Sequence, residues 1–476
     1  MNTSFEASYA GLSEPFHRPA LQKPLANATL FAYNAELAQE LRIPAHADAA
    51  LLLDWFNGTH VPDGAHPVSM AYGGHQFGTW VPQLGDGRGL LLGELRDSSG
   101  KLQDVHIKGA GPGHFSRGFD GRAVLRSTIR EYLCSEAMHH LGIPTTRALC
   151  LIASEQLVER EILEKAALLV RIAESHVRFG TFEYFYAQQN SQAIEELLRY
   201  LAGRHFASWA DLDTPDLAVE VLKQAILATA RLIAHWQTAG FCHGVMNTDN
   251  MSILGETLDY GPYAFMDTYN PNFICNATDR GGRYAYNRQP SIGLWNCAAL
   301  AETFSDLIAD TRRHELLALY EPEFMRCYLQ QMGLRLGMAD TGPEDLPLIS
   351  DFLTLLATSE QDYHLSFIAL LNKLRHPEKP MALADIKGYD QWESRWLERT
   401  GIPDATSIAR MDASNPKVVL RNYRAQLAIE DAEQGNSATF DQLLQALSHP
   451  YETPSAPDLC QPPPASLVGR SLSCSS

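Results

Sequence analysis

The chain has 476 residues, of which 45% are hydrophobic and 20% charged. That is ordinary globular composition, enough for roughly two to four domains or one large two-lobed unit. Its 38 Lys and Arg against 56 Asp and Glu leave a formal charge of −18, which argues against nucleic acid or an anionic membrane as partner, because phosphate contacts need clustered cations.

Eight scattered cysteines form no C-x-x-C pair, and no apolar run is long enough to span a bilayer. The start, MNTSFEASYAGLSEPF, has neither a basic nor an apolar leader. A cytoplasmic protein with reduced thiols is expected. Residues 1–65 mix short apolar clusters with Pro and His and are expected to form an extension packed on the main body. From 66 to 110, glycines cluster between short β-like runs, and Val105 and Ile107 alternate with polar neighbours in a strand ending at Lys108. A helix is expected over 122–140, where Leu125, Ile129, Leu133 and Ala137 recur every four residues and Gly142 and Pro144 stop it. Strand-like runs follow at 148–153 (ALCLIA) and 167–172 (ALLVRI). Thr214-Pro215-Asp216 reads as a helix start with Thr214 as N-cap, and that helix stops at Gly240. The loop HGVMNTDN (243–250) comes next, then MSILG and YAFMD with Asp259-Tyr260-Gly261 between them. Residues 292–375 read as mostly helical and 376–450 as less regular, and the Pro/Ser-rich tail from 452 reads as extended. There is no internal repeat.

HGVMNTDN resembles a protein-kinase catalytic loop, H-R-D-x-x-x-x-N, with Val245 in place of the catalytic aspartate. A kinase needs a strand lysine for the nucleotide phosphates and a helix glutamate to hold it, plus an Asn and a D-x-G aspartate for magnesium. Lys108, Glu131, Asn250 and Asp259 occur in that order, each on the expected element. Glu136, on the same helix, is the other candidate partner for Lys108. The glycines Gly85, Gly87 and Gly89 would let backbone approach phosphate closely. The gap from Asn250 to Asp259 is short for a kinase and implies a tight hairpin. The fold expected is α+β and protein-kinase-like. It would have a β-rich lobe over 66–180, a helical lobe over 181–450 and a tail over 451–476. His75, His106 and His114 read as hydrogen-bonded structural residues, since no Cys or carboxylate set accompanies them at metal spacing.

The stretches YGGHQFG, GDGRG, HIKGAGPGHFSRGFDGRAVLRSTIREYL and HGVMNTDNMSILGETLDYGPYAFMD closely resemble the selenoprotein O family, also called YdiU. These are kinase-fold proteins, once called pseudokinases, that transfer AMP from ATP to protein hydroxyls. The resemblance covers most of the chain, and Cys474 falls where some members carry selenocysteine. It implies that Gly85, Gly87 and Arg88 contact ATP, and that Lys108 binds phosphate with Glu131 as its partner. Asp120 and Gly121 become nucleotide contacts, and Arg171 and Arg178 reach into the pocket. Asn250 and Asp259 hold Mg²⁺, with Mn²⁺ the alternative, so that Asp259 meets ATP through the metal. Asp249 is the proton acceptor.

Arg88, Lys108, Arg171 and Arg178 make four pocket cations, enough to hold the β- and γ-phosphates deep in the cleft. That suits the family's reversed ATP, with pyrophosphate leaving. Asp249 also reads as a capping residue, and Arg171 and Arg178 as surface ion pairs. Protein substrates with Ser, Thr or Tyr hydroxyls and a monomeric state are expected. The competing readings are a γ-phosphoryl-transferring kinase using another base, and a nucleotide-binding scaffold without catalysis. Cys275 and Cys474 are either two unrelated thiols or a disulfide that gates activity by redox state.

Overall fold

The computed structural model describes residues 4–44, 47–376, 381, 383–401 and 405–467. A sheet-rich N-terminal part precedes a helical C-terminal part. The strands are β1 (His17–Pro19), β2 (Thr29–Tyr33), β3 (Val68–Met70), β4 (Gly74–Gln76), β5 (Thr79–Val81), β6 (Gly89–Arg96), β7 (Leu102–Lys108), β8 (Ala123–Val124), β9 (Arg147–Glu159), β10 (Leu163–Ala173), β11 (Phe241–Cys242) and β12 (Ala264–Phe265). The main antiparallel sheet runs β1-β3-β6-β7-β10-β9-β2, with β8 pairing β10. Residues 1–65 therefore supply both outer strands. They also supply the short helices α1 (Ala35–Glu40) and α2 (Ala49–Phe56).

Alternation along the strands sorts side chains between two faces. Val105, Ile107, Val170 and Ile172 pack with Leu37, Leu52 and Phe56 on one side. On the other, Ala148, Leu151, Ala167 and Leu169 meet helix α3 (Leu125–His140) through Ile129 and Leu133. This second face also carries His106, Lys108 and Arg171 and becomes the wall of the candidate site. Helix α3 begins at Leu125 rather than 122 because Ala123 and Val124 are taken up in pairing with β10. The strands expected at 148–153 and 167–172 are longer than their apolar centres and form one hairpin, β9–β10.

Helices α4 (Phe179–Ala187) and α5 (Ser191–His205) lead to α6 (Thr214–Thr238), whose C-terminal half is buried nearly all round and forms the axis of the helical part. The N-cap of α6 is Asp213, not Thr214: its Oδ1 accepts from Asp216 N at 2.9 Å. The Thr214 hydroxyl instead accepts from Arg199 at 3.1 Å. Strands β11 and β12 pair with each other, so the 243–263 segment is a closed excursion between them. Helix α7 (Gln289–Glu302) follows.

Beyond residue 376 the chain is more regular than expected, with helices Tyr389–Thr400, Ala405–Ser414, Asn422–Glu433 and Ala438–Ser448. The last two return to α3, placing Ile429, Phe440 and Leu443 in its apolar cluster. The tail is not simply extended: it forms a short turn at Pro457–Cys460, and Leu459 joins the same cluster. Among the described residues, no helix is long and apolar enough to cross a membrane.

Candidate active site

Antiparallel pairing sets Arg171 of β10 opposite His106 of β7, two residues before Lys108. Lys108 Nζ donates to Glu131 Oε2 in a short bond and to Asp259 Oδ1 at 3.3 Å. Arg171 Nη1 reaches Glu131 Oε1 at 3.3 Å and makes a short bond to Asp259 Oδ1. Arg178, the N-cap residue of α4, donates from Nη1 to Asp259 Oδ2 and to the Asp249 carbonyl, both at 2.6 Å. Three cations thus converge on one carboxylate. Their side chains are 10%, 3% and 2% exposed for Lys108, Arg171 and Arg178, against 23% for Asp259.

Burial works against the Asp259 charge, yet Arg171, Arg178 and Lys108 hold its carboxyl well below the usual range. Burial pulls Lys108 down, with Glu131 and Asp259 opposing it. Arg171 Nη2 donates to His106 Nδ1 at 3.0 Å, and His106 Nε2 lies 3.3 Å from Asp86 Oδ1. A guanidinium cannot accept, so His106 Nδ1 is the acceptor and the ring's proton belongs on Nε2, facing Asp86.

Glu136 is not the partner of Lys108. It lies about 140° round the helix from Glu131, accepts from Arg147 Nε and Nη2 at 3.0 and 2.9 Å and from Ala148 N at 2.9 Å, and bonds Asn34 at 2.8 Å.

The fourth cation, Arg88, is exposed beside the glycine turn, and its charge is felt at Lys108. Gly85 adopts φ 62°, and a Cβ there would lie 2.3 Å from the Phe115 ring. Asp86 turns inward and accepts from Met70 N at 3.0 Å, and Ser116 Oγ donates to the Gly87 carbonyl. Gly121 has φ 65° and no room for a side chain, since a Cβ would sit 2.1 Å from Gly111 O. Asp120 is committed to Arg160, at 2.8 and 3.0 Å, and to Arg122 N at 2.9 Å. It therefore stands apart from the Lys108 cluster.

In the 243–250 loop, His243 Nδ1 accepts from Val245 N at 3.3 Å and Nε2 lies 3.2 Å from Leu258 O. Asn250 Nδ2 donates to Val245 O at 3.0 Å. Hairpin β4–β5 clamps this loop with three consecutive residues. His75 N donates to Thr248 Oγ1 at 2.7 Å, Gln76 Nε2 to Asp249 Oδ2 at 3.3 Å, and Phe77 N to Asn247 Oδ1 at 3.2 Å. The Asp249 side chain is buried and its Oδ1 has no hydrogen-bond partner. Burial pushes its carboxyl up to about 7, with Arg178 opposing.

Gln76, His106, Asp86 and Thr248 are site residues that the sequence reading did not single out for this role. The alternation that isolates Val105 and Ile107 also puts Asp104, His106 and Lys108 on one face, so His106 had a signal. The hairpin clamp is a tertiary contact without one. His75 and His106 are engaged in polar contacts, whereas His114 packs its ring against Phe115 at 4.9 Å.

Donors for a metal would be the Asp259 carboxylate and the Asn250 amide oxygen, a hard, oxygen-only set. No group of three or more His, Cys, Asp or Glu side chains gathers at metal spacing among the described residues. Mg²⁺ commonly takes only one or two carboxylates and completes its shell with substrate phosphate and water, so the oxygen chemistry of this pair suits such an ion, while both Asp259 oxygens are bonded to Lys108, Arg171 and Arg178 in this structure. Cys275 is buried and its Sγ lies 3.4 Å from the Cys242 carbonyl. Burial pushes its thiol well up, which disfavours reactivity. Cys474 lies outside the described residues.

A buried cluster of Lys108, Arg171 and Arg178 around the Asp259 carboxylate, in a chain of mixed α and β architecture, has the charge and shape of an anion-binding centre. The family model described as "Protein adenylyltransferase SelO" matches residues 1–448. The protein nucleotidyltransferase YdiU of Pseudoalteromonas atlantica is 44% identical over 468 residues, 96% of this chain and 97% of that protein. Its namesake in Myxococcus xanthus is 44% identical over 483 residues, 99% and 98% of the two chains. That of Aeromonas hydrophila is 46% identical over 466 residues, 96% and 97%. The chain belongs to the SelO family.

Proposed function

We propose that this chain is a protein nucleotidyltransferase that moves AMP from ATP onto Ser, Thr or Tyr hydroxyls of proteins. The fold proposed is kinase-like, with a β-rich lobe over 66–180 and a helical lobe over 181–450, flanked by the extension 1–65 and the tail 451–476. The observation that carries the reading is the depth of positive charge: Arg171 and Arg178, 3% and 2% exposed, meet Lys108 at one carboxylate. In this reading the β- and γ-phosphates enter first and take those cations as partners. Arginine forks supply paired bonds to phosphate oxygens, while Lys108 acts as a point charge steadied by Glu131. Gly85, Gly87 and Arg88 cover the nucleotide from the mouth, and Asp120 and Gly121 add contacts on the same side.

The α-phosphorus then lies nearest Asp249. The acceptor oxygen attacks it, the bond to the bridging oxygen breaks, and the electron pair leaves with pyrophosphate. Asp249 receives the hydroxyl proton, held in place by Gln76. Charge developing on the leaving group falls on Arg171, Arg178 and Lys108, where stabilisation lowers the barrier. Asn250 and Asp259 would hold Mg²⁺ or Mn²⁺, which when bound neutralises phosphate charge. Val245 puts no carboxylate where a kinase loop orients its acceptor, which disfavours γ-phosphoryl transfer.

The seven described cysteines are free thiols, which supports a cytoplasmic setting; a monomer completes the proposal. The test is ATP labelled separately at the α- and γ-phosphorus. Label on protein from α alone is expected. Label from γ would make the protein a kinase, and binding without either label would make it a scaffold.

A further inference from the structure

We infer that the pocket between hairpin β4–β5 and helix α7 is a subsite for a basic side chain, lysine or arginine, of the acceptor protein. The inference rests on the protein-modifying reading above. The pocket encloses about 410 Å³. The Trp80 and Trp295 rings each lie 5.3 Å from that of His75, at interplanar angles of 51° and 88°. Tyr186 and the methyl groups of α7 complete an apolar wall. The lining holds two carboxylates, Glu183 and Glu302, and no Lys or Arg.

Glu183 is buried beside His75, 4% exposed, with Oε1 2.5 Å from His75 Nδ1. Its Oε2 receives no hydrogen bond. Glu302 is 57% exposed at the rim, where it accepts from the Tyr186 hydroxyl at 3.2 Å and lies 3.4 Å from Arg313 Nη2. Such a wall suits the aliphatic stem of a long basic side chain, and aromatic faces attract its cationic head. Trp295 already makes one contact of this kind, with Arg283 4.7 Å from its ring. Glu183, and Glu302 beside its Arg313 partner, make the polar part of the lining acidic, and an incoming N–H would satisfy Glu183 Oε2. A purely apolar side chain would fill the space and leave that oxygen unpaired.

The position of the pocket ties it to the reaction. His75 lines it and bonds Thr248 through its backbone, and the next residue, Gln76, bonds Asp249. One hairpin thus forms the pocket wall and steadies the proposed base. A side chain captured here would belong to a residue within a few positions of the modified hydroxyl.

The test uses the full chain, α-labelled ATP with Mg²⁺, and synthetic peptides with a central serine, threonine or tyrosine. Each flanking position carries Arg, Lys, Leu, Phe, Ala or Glu in turn. Arg or Lys at one flanking position is expected to lower KM by about tenfold relative to Ala, as a partly desolvated cation–π contact gives. Trp295→Ala and Glu302→Gln, both at exposed positions, should each reduce that preference while leaving kcat on the Ala peptide unchanged. A preference for Leu or Phe, no positional preference, or a basic preference that survives both substitutions would overturn the inference. Tryptophan fluorescence on titration with N-acetyl-arginine amide separates it from the reading it rests on. Binding that is lost in Trp295→Ala, without label transfer to any peptide, would sink the transferase and keep the pocket. No binding and no basic preference would sink the pocket.

Discussion

Replacing Asp259 with asparagine is the sharpest test of the cation cluster. Asp259 has φ 54°, a left-handed conformation that Asn tolerates and Ala does not, so Asp259→Asn removes charge without adding backbone strain. It strips the shared partner from Lys108, Arg171 and Arg178, leaving Glu131 as the remaining carboxylate against Lys108 and Arg171. Breaking a buried ion pair from one side costs about 3–5 kcal/mol. The 23% exposure of Asp259 puts this case at the low end, about 3 kcal/mol. At roughly 2 °C per kcal/mol for a large folding unit, Tm should fall by roughly 6 °C. Inorganic tripolyphosphate with a chelator present supplies the missing anionic oxygens. At a hundredfold excess over its Kd for Asp259→Asn it should stabilise that variant by about 2.7 kcal/mol, and the parent by less. Differential scanning fluorimetry reads both effects. An unchanged Tm, or equal stabilisation of the two proteins by tripolyphosphate, would show that these cations are not poised for a polyanion.

Three further outcomes are expected. Glu131→Gln should lower AMP transfer by roughly a hundredfold through misplaced Lys108, whereas Glu136→Gln should lower Tm, by orphaning Arg147, and spare the specific activity of folded protein; the reverse pattern would exchange the two glutamates' roles. Gln76→Ala should reduce kcat by roughly tenfold or more with KM for ATP unchanged, because it loosens Asp249 rather than the phosphate cradle; a change confined to the ATP KM would place Gln76 elsewhere in the mechanism. Burial, reinforced by the Glu174 charge, pushes Glu256 up to about 8, and its Oε2 has no hydrogen bond. A folded-state value above the ordinary one means that this contribution to stability is whole at acidic pH and is lost as pH rises through about 8. Glu256→Gln should therefore flatten the decline of Tm between about pH 5 and pH 8, and an unaltered slope in a thermal-shift series would contradict this.

The elements that carry a short-range period were readable directly. Val105 and Ile107 announce the strand that delivers Lys108, and the four-residue spacing of Leu125, Ile129, Leu133 and Ala137 announces the helix that delivers Glu131. The order of Lys108, Glu131, Asn250 and Asp259 was enough to suggest a phosphate site. Choosing between Glu131 and Glu136 needed the packing, because Glu136 is claimed by Arg147 on the following strand. The helix cap falls one residue before Thr214: Asp213 and Thr214 are both good caps, and Arg199 decides between them by occupying the threonine. The clamp of His75, Gln76 and Phe77 on residues 247–249 joins segments about 170 residues apart. No local pattern encodes it, since its donors are two backbone amides and one glutamine.

The outer strands of the main sheet are drawn from the first 33 residues, and both are short. One ends in Pro19, which has no amide hydrogen to offer a neighbour. Behind the other lies β9, 13 residues long with LCLI in its first half. Cutting the chain after Tyr33 would bare that long apolar edge and invite edge-to-edge association between molecules. A role as solubility guard, separate from any part in catalysis, follows for these opening residues.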